Sequence, residues 1–177
     1  SIEKFRSNII FQEKKGYGDA ILLGIKNVET KYFSIFNADG SFDPYELKGM
    51  YNQIKEDSLD IIFATRYKKK AGSEDDTIIT LLGNKFFSMV GRIFFKLPIS
   101  DILYTYVMGD TQKVLLLNLR QKDFTLCVEL PIKAKRNSLK ISDIPSNEKS
   151  RIGGVKKVNE IRDGFLILLH MIKLFFN

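Results

Sequence analysis

The segment of residues 32–44 constrains the fold most, because it places an apolar strand, an acidic turn and a helix start in direct succession. Residues 32–36 are aromatic or β-branched apart from one serine, which is typical of a buried strand. Residues 37–40 favour a turn and end that strand. Asp43 and Pro44 then supply a helix N-cap and a first helical position, ahead of apolar residues at helical spacing. The segment therefore predicts a strand, a turn and a helix.

Asp39 lies in the predicted turn, at the carboxyl end of the strand. In an open α/β sheet, ligands bind in the crevice outside the carboxyl ends of the strands. The carboxylate of Asp39 is therefore a candidate ligand for a divalent cation, which prefers oxygen ligands. The alternative is that Asn37, Asp39 and Asp43 are ordinary turn and capping residues, since such turns are common.

Strands and helices alternate along the rest of the chain, which indicates a mainly parallel α/β sheet flanked by helices. Strands are predicted over residues 8–12, 59–65, 103–108 and 139–144, and helices over residues 19–27 and 78–97 and from near Pro131. With 177 residues, of which 44% are hydrophobic, the chain is large enough to form one globular domain with a real core.

The net charge of +7 favours anionic partners, although charge alone does not choose between phosphates, nucleic acid and anionic lipid. The single cysteine excludes a disulfide framework and a Cys-based zinc site, and the single histidine argues against a His-rich metal site. His170 is interpreted as part of a polar stripe on the last helix rather than as a catalytic group.

Three glycine-containing or basic segments are candidate phosphate sites. Gly18 belongs to a glycine-punctuated loop before the first predicted helix, where backbone amides can bind phosphate, although the loop matches no nucleotide-binding pattern. Arg66 directly follows the strand over residues 59–65, and its alternative is a solvated surface charge. A basic loop near the end of the chain adds Arg151, Gly153, Gly154, Lys156 and Lys157.

Two long apolar helices are predicted in the second half of the chain. The apolar face of the helix over residues 78–97 is expected to be core or membrane-adjacent, with basic residues largely on the other face. Within residues 158–177 the apolar window of residues 165–176 is too short to span a bilayer, so the segment forms a core helix or an amphipathic helix in the membrane interface. We therefore divide the chain into a domain of residues 1–157 and a helix of residues 158–177.

Seven short segments follow one another along the chain: residues 16–20 (GYGDA) with Gly24, 37–41 (NADGS) with Asp43 and Pro44, 65–67 (TRY), 83–88 (GNKFFS), 99–101 (ISD), Glu129 and Leu130 with Lys133 and Ala134, and 151–157 (RIGGVKK). Each segment is weak alone, whereas their order over nearly all of the chain is specific. In that order they resemble the family-2 nucleotide-sugar glycosyltransferases of the dolichol-phosphate mannosyltransferase and polyprenyl-phosphate glucosyltransferase type.

The resemblance implies a GT-A fold, which is Rossmann-like, and transfer of a sugar from a nucleoside diphosphate with inversion. Asp39 then matches the metal-binding motif of the family and would hold Mg²⁺ or Mn²⁺. Asn37, Gly18, Arg66 and the basic loop would bind the donor or acceptor phosphates. Asp101 is the first candidate for a catalytic carboxylate and Glu129 the second; a base is needed only if the acceptor is a hydroxyl, because a phosphate is already ionised.

The chain departs from the family pattern in two places. Asn37 stands where the family usually has aspartate, which removes a charge from the metal site. The family's first strand and its base-binding acidic loop precede the equivalent of Ser1, so the chain resembles an N-terminally truncated transferase. Two classes therefore stay open: a glycosyltransferase, and a non-catalytic or split α/β fragment that binds anionic lipid or a partner subunit.

The expected partners follow from the resemblance. They are a nucleotide-sugar donor, a lipid-phosphate acceptor and a membrane surface, with no nucleic acid, and homo-oligomerisation is left open. The expected location is the cytoplasm, with the protein peripheral to or anchored at the membrane, because a lipid acceptor and a basic apolar helix meet at that surface.

Overall fold

A four-stranded mixed sheet forms the centre of the fold, in a computed structural model that describes residues 8–13, 15–153 and 159–176. Its strands, in spatial order, are β1 (Tyr32–Ile35), β4 (Val107–Asp110), β2 (Ile61–Thr65) and β5 (Ile141–Pro145). β1, β2 and β5 run in one direction, while β4 lies antiparallel between β1 and β2. A separate parallel pair, β3 (Gly72–Ser73) and β6 (Asn147–Glu148), joins the loops that follow β2 and β5.

Helices cover both faces of this sheet. Within the described residues they are α1 (Tyr17–Lys26), α2 (Glu46–Glu56), α3 (Ile78–Phe95), α4 (Thr111–Leu116), α5 (Leu126–Arg136) and α6 (Glu160–Phe176). All residues of β2 are buried, because Ile61 and Phe63 belong to a core shared with five of the helices and Ile62 and Ala64 to a second core covered by α2. The result is a three-layer α/β architecture, as the sequence predicts.

The predicted strands over residues 59–65 and 139–144 correspond to β2 and β5, with small shifts at their ends. The strand predicted over residues 8–12 is wrong, since no strand forms there and residues 9–11 are exposed. The strand predicted over residues 103–108 begins only at Val107. The backbone before it is held by side chains instead, because the N–H of Tyr104 donates to Asp101 and the N–H of Ile102 donates to Ser88.

Two helix starts also differ from the prediction. Asp43 is not the N-cap of α2; it accepts the N–H of Tyr45 at 3.0 Å and shapes a turn that precedes the helix. The helix predicted to begin near Pro131 begins at Leu126 and contains the proline. A proline inside a helix removes one backbone hydrogen bond, and burial of the residues on both sides of it stabilises α5 nonetheless.

α3 and α6 pack against each other, and each leaves an apolar face exposed. On α6 the buried residues are Ile167, Met171 and Leu174, which belong to the larger core. The rings of Phe94 and Phe175 meet edge to face at 5.8 Å between the two helices. We use the term α3/α6 surface for the exposed apolar residues Ile78, Ile79, Leu82, Phe86, Met89, Ile93, Phe94, Phe165, Leu166, Leu169, Ile172, Phe175 and Phe176.

The α3/α6 surface argues against the expectation that the apolar face of α3 is core, and its position next to a membrane stays a prediction. Most of that face is exposed, and the residues that α3 buries are Phe87, Ser88 and Gly91, on its other side. By length and composition alone, α3 is also the helix in the described part of the chain that could cross a membrane. For α6 the core interpretation holds for one face, while the other face is exposed, so its placement in the membrane interface stays a prediction.

Candidate active site

A pocket of about 670 Å³ opens where β1 and β2 end and α3 and α6 begin. Of the residues predicted for the site, its wall contains Asn37, Asp39, Arg66, Arg151 and Gly153. Asp101, Glu129 and Gly18 are described by the structure but do not line the pocket. Gly154, Lys156 and Lys157 lie outside the described residues. The structure thus brings the predicted metal ligand and four of the residues predicted to bind phosphate to one cavity.

Asp39 is held in the turn after β1 by Ser41. Its Oδ1 accepts the backbone N–H of Ser41 at 3.0 Å and the hydroxyl of Ser41 at 2.6 Å. Burial raises the pKa of Asp39, but these hydrogen bonds and the nearby Arg151 outweigh burial, so the pKa lies below its ordinary value. Asp39 therefore presents an ionised carboxylate to the pocket at neutral pH.

The beginning of the basic loop is tied to the Asp39 turn. The N–H of Lys149 donates to the carbonyl of Ser41 at 2.9 Å, and the N–H of Ile152 donates to the carbonyl of Asp39 at 2.8 Å. Gly40 has φ of 86°, and an added Cβ there would lie 2.7 Å from the side chain of Ile152. Both the backbone angle and the close approach require glycine. This pairing brings Arg151 and Gly153 to the wall that Asp39 occupies.

Arg66 follows β2 and is enclosed by carboxylates. Its Nε lies 2.8 Å from Asp101, and its Nη1 lies 3.3 Å from Asp76 and 3.1 Å from Glu148. Burial disfavours the charged guanidinium, but Asp101 outweighs burial and the pKa of Arg66 is raised. The guanidinium also lies 4.6 Å from the ring centre of Tyr104. A phosphate that binds Arg66 would have to displace Asp76 or Glu148.

Arg151 is the more accessible of the two arginines. Its Nη2 lies 2.6 Å from Asp75, and both side chains of this pair are about one quarter exposed. The hydrogen bond to Asp75 raises the pKa of Arg151. An ion pair in contact with solvent contributes about 0–1 kcal/mol, so an incoming phosphate could replace Asp75 at small cost.

The two candidate catalytic carboxylates are buried and engaged elsewhere. Asp101 is wholly buried against Arg66 and accepts the N–H of Tyr104 at 3.2 Å. Glu129 accepts the backbone N–H groups of Arg120 and Gln121 and lies 2.8 Å from Lys133. In this geometry both carboxylates hold backbone segments in place. Their assignment as catalytic groups stays a prediction, and the Asp101 assignment is tested below.

Glu129→Gln is expected to lower the free energy of unfolding by about 2 kcal/mol, because hydrogen bonds to a buried charged acceptor contribute more than those to a neutral one. The neutral amide keeps the size of the side chain but weakens its bonds to Arg120, Gln121 and Lys133. Urea unfolding measures the change, and Glu56→Gln at the exposed end of α2 is the matched control. Equal stability of the two variants would contradict the structural role.

Gly18 contributes packing rather than a visible phosphate site. An added Cβ there would lie 2.5 Å from the carbonyl oxygen of Gln121 and 2.7 Å from that of Asp123. The glycine therefore allows the first turn of α1 to pack directly against the loop before α5. Its neighbour Tyr17 lines the pocket, so this packing does position one wall of the site.

Sequence reasoning missed several residues that line the pocket, chiefly Tyr17, Asp75 and Asp76. The hydroxyl of Tyr17 donates to Thr105 at 2.6 Å, and its ring stacks on Phe124 with centres 4.6 Å apart. Burial raises the pKa of Tyr17, so the phenol stays protonated at neutral pH. The acidic pair at residues 75 and 76 was visible in the sequence, but its pairing with two distant arginines was not.

His170 lies on α6 and does not line the pocket. Its Nε2 is buried and has no hydrogen-bond partner within the described residues. Burial lowers the pKa of His170, which favours the neutral imidazole. This environment offers no contact with the residues around Asp39.

The donor atoms around Asp39 fit a divalent cation only together with oxygens from a ligand. Within the described residues, no three Asp, Glu, His or Cys side chains are grouped to hold a metal ion. Three other carboxylates of the pocket wall are paired with arginines: Asp75 with Arg151, and Asp76 and Glu148 with Arg66. An ionised Asp39 with the neutral amide of Asn37 nearby suits a cation that takes its remaining ligands from a diphosphate and water.

Comparison with known protein families identifies the family to which this chain belongs. The profile described as glycosyl transferase family 2 matches residues 2–111, which is more than half of the chain. The chain belongs to glycosyl transferase family 2. This confirms the resemblance that the seven sequence segments indicate.

This family 2 chain is 28% identical over 148 residues to the UDP-N-acetylglucosamine–dolichyl-phosphate N-acetylglucosaminyltransferase of Methanococcus voltae. The match covers 76% of the chain and 55% of the relative. The chain thus spans about half the length of the curated relative that it matches. The relative is of the polyprenyl-phosphate type that the sequence resembles.

Solved structures similar to this family 2 chain confirm the GT-A fold. Glucosyl-3-phosphoglycerate synthase from Mycobacterium tuberculosis, in complex with Mn²⁺, UDP and glucosyl-3-phosphoglycerate, matches with a TM-score of 0.67 at 10% identity, over 93% of this chain and 56% of that one. Mannosyl-3-phosphoglycerate synthase from Rubrobacter xylanophilus matches with a TM-score of 0.61 at 13% identity, over 89% and 50% of the two chains.

Proposed function

We propose that this chain is the catalytic domain of an inverting glycosyltransferase, which moves a sugar from a nucleoside-diphosphate sugar to a polyprenyl phosphate. The observation that carries the proposal is the pocket lined by both the ionised Asp39 and the accessible Arg151. Membership of family 2 supports the reaction class, and the dolichyl-phosphate relative supports the acceptor class. The structural neighbour with bound UDP and Mn²⁺ supports a nucleotide donor and a divalent cation.

The donor is bound by residues that follow β1 and by residues at the beginning of the basic loop. Mg²⁺ or Mn²⁺ at Asp39 would stabilise the negative charge that builds up on the leaving diphosphate. Asn37 offers a neutral amide oxygen beside it, and Gly153 leaves the backbone open to a phosphate, since an added Cβ there meets nothing within 4 Å. Arg151 binds diphosphate oxygens through its planar guanidinium after releasing Asp75.

The positions of the two predicted catalytic carboxylates support a phosphate acceptor rather than a hydroxyl acceptor. A hydroxyl needs a base within hydrogen-bond reach, whereas a phosphate is already ionised and needs only to be positioned. Asp101 and Glu129 are held by Arg66 and Lys133 and do not line the pocket. A lipid phosphate would also place the enzyme at the cytoplasmic face of the membrane, peripheral to it or anchored in it.

Asp39→Ala is expected to abolish Mn²⁺-dependent binding of the donor while leaving the domain folded, because a turn carboxylate contributes little packing. Thermal melts with UDP-sugars measure this, since a ligand at a hundred times its Kd stabilises the folded state by about 2.7 kcal/mol. Asp57→Ala, at the exposed end of α2, removes a carboxylate outside the pocket and is the matched control. A Mn²⁺-dependent shift that persists in Asp39→Ala would refute the metal assignment.

One observation favours the alternative of a non-catalytic α/β module that binds anionic lipid or a partner subunit. Both arginines of the pocket are already paired with carboxylates, namely Arg66 with Asp76, Glu148 and Asp101, and Arg151 with Asp75. In such a module no nucleotide sugar would raise the melting temperature of the wild-type protein, with or without Mn²⁺. The same melts therefore separate the two functions.

A further inference from the structure

In the described part of the chain, the wall of the pocket carries more negative than positive charge. Its lining includes two arginines but six carboxylates, which are those of Asp39, Asp75, Asp76, Glu148, Glu160 and Asp163. A diphosphate is itself anionic, so each of these carboxylates weakens its binding. A divalent cation at Asp39 would offset part of the excess, and the rest calls for carboxylates that withdraw when the ligand binds.

The segment of residues 73–76, which we call the acidic loop, holds the beginning of the basic loop. The Oε2 of Glu74 accepts the backbone N–H of Ser150 at 3.1 Å, and the Nη2 of Arg151 lies 2.6 Å from the Oδ2 of Asp75. Neighbouring residues of one loop thus bind neighbouring residues of the other. Since Asp75 and Arg151 both line the pocket, this contact covers the accessible arginine with a carboxylate.

Ser73 fixes the direction of the carboxylates in the acidic loop. Its Oγ accepts the N–H of Asp75 at 3.2 Å and the N–H of Asp76 at 3.1 Å. The same hydroxyl donates to Glu148 at 2.6 Å, and Asp76 reaches Arg66 at 3.3 Å. The acidic loop is therefore an ordered element that places one carboxylate on each arginine of the pocket.

The acidic loop holds the two arginines unequally. Arg151 and Asp75 are each about one quarter exposed, and an ion pair in contact with solvent is weak. Arg66 is buried and has two further carboxylates within ion-pair distance besides Asp76. The contact between Asp75 and Arg151 is therefore the part of the acidic loop that an incoming phosphate opens most easily.

We propose that the acidic loop is an autoinhibitory latch: Asp75 covers the guanidinium of Arg151, and a diphosphate binds by taking the place of Asp75. This inference rests on the proposed function and adds to it how access to the donor site is regulated. Apparent affinity falls in proportion to the fraction of molecules in the binding-competent state. Because the latch is weakly held, it lowers the affinity of the pocket for a diphosphate without blocking the pocket.

Calorimetric titration with UDP in the presence of Mn²⁺ tests the latch. Asp75→Asn keeps the shape of the side chain and removes its charge, so UDP is expected to bind about two- to sixfold more tightly than to the wild type. Asp76→Asn should give a smaller gain, because Arg66 keeps its two other carboxylates. Asp19→Asn is the matched control, since it breaks a partly exposed pair with Lys122 outside the pocket and should leave the affinity unchanged.

The gain in affinity must depend on Arg151, because the latch acts by covering that side chain. Arg151→Gln combined with Asp75→Asn is therefore expected to bind UDP no better than Arg151→Gln alone. A gain that persists without Arg151 would mean that Asp75 merely repels the ligand, which overturns the inference. A wild-type protein that binds UDP as tightly as Asp75→Asn refutes the latch alone, whereas failure of both proteins to bind UDP with Mn²⁺ refutes the proposed function.

Discussion

Asp101→Asn is expected to lower the free energy of unfolding by about 3 kcal/mol, because it removes the nearest counter-ion of a buried arginine. Arg66 and Asp101 lie 2.8 Å apart, with side chains that are 7% and 0% exposed. Arg66 keeps Asp76 and Glu148, so the loss lies at the lower end of the range of about 3–5 kcal/mol for broken buried pairs. For a domain of this size the melting temperature falls by roughly 6–12 °C.

Asp75→Asn is the matched control, since its partner Arg151 is a partly exposed arginine of the same pocket. Its loss should cost about 0–1 kcal/mol. A catalytic carboxylate would behave in the opposite way to the expectation for Asp101: its amide would fold normally and lose turnover. Asp101→Asn melting within about 2 °C of the wild type, together with lost sugar transfer, would identify Asp101 as the catalytic group.

The features of the fold that could be predicted are those that depend only on residues close together in the sequence. β2 is covered on both faces, and the apolar run of residues 61–64 that this burial requires is visible in the sequence. The start of α3 is equally local, since Thr77 accepts the N–H of Thr80 as an N-cap. The apolar run at residues 8–12 has the same local pattern as a strand, but a strand also needs a neighbour, and the described structure gives it none.

The position of a pocket residue could be predicted only where neighbouring residues of the same segment determine it. Asp39 and Asn37 follow β1 directly, so their place at the carboxyl end of a strand could be inferred from adjacent residues. Arg66 was correctly placed in the pocket, but its pairing with Asp101, which is 35 positions away in sequence, depends on tertiary structure. A charged residue after a strand looks the same in the sequence whether it binds phosphate or a buried carboxylate.

Whether the last helix is available to bind a membrane also depends on tertiary structure. Deleting residues 164–177 would release the domain from liposomes if α6 lay only in the membrane interface, and would unfold it if α6 belongs to the core. α6 places Ile167, Met171 and Leu174 in the larger core, and truncation of one such side chain costs about 2–5 kcal/mol. Since whole domains are stable by about 5–15 kcal/mol, the deletion is expected to unfold the protein and cannot test membrane binding.

Membrane binding is instead expected to depend on the exposed face of α6. Leu169 and Ile172 are 46% and 47% exposed, so Leu169→Ser with Ile172→Ser should leave the domain folded. Fully burying an aliphatic side chain contributes about 1.5–3 kcal/mol, so even partial insertion of both residues makes a loss of at least about tenfold in vesicle binding the expected result. Exposed cations on both helices, such as Arg92 and Lys173, would approach the lipid headgroups.

Sedimentation with vesicles of equal parts phosphatidylcholine and phosphatidylglycerol measures this binding, which should weaken as salt is added because the cations contribute through screened charge. Leu116→Ser is the matched control: Leu116 is 77% exposed on α4, a helix that packs against α1 and β4 rather than against α3 or α6. If the α3/α6 surface is instead covered by a second copy of the chain, the wild type elutes as a dimer and the double variant as a monomer, with little vesicle binding by either. Circular dichroism of every variant shows that the fold is kept, so a folded double variant that still sediments like the wild type refutes the role of α6 at the membrane.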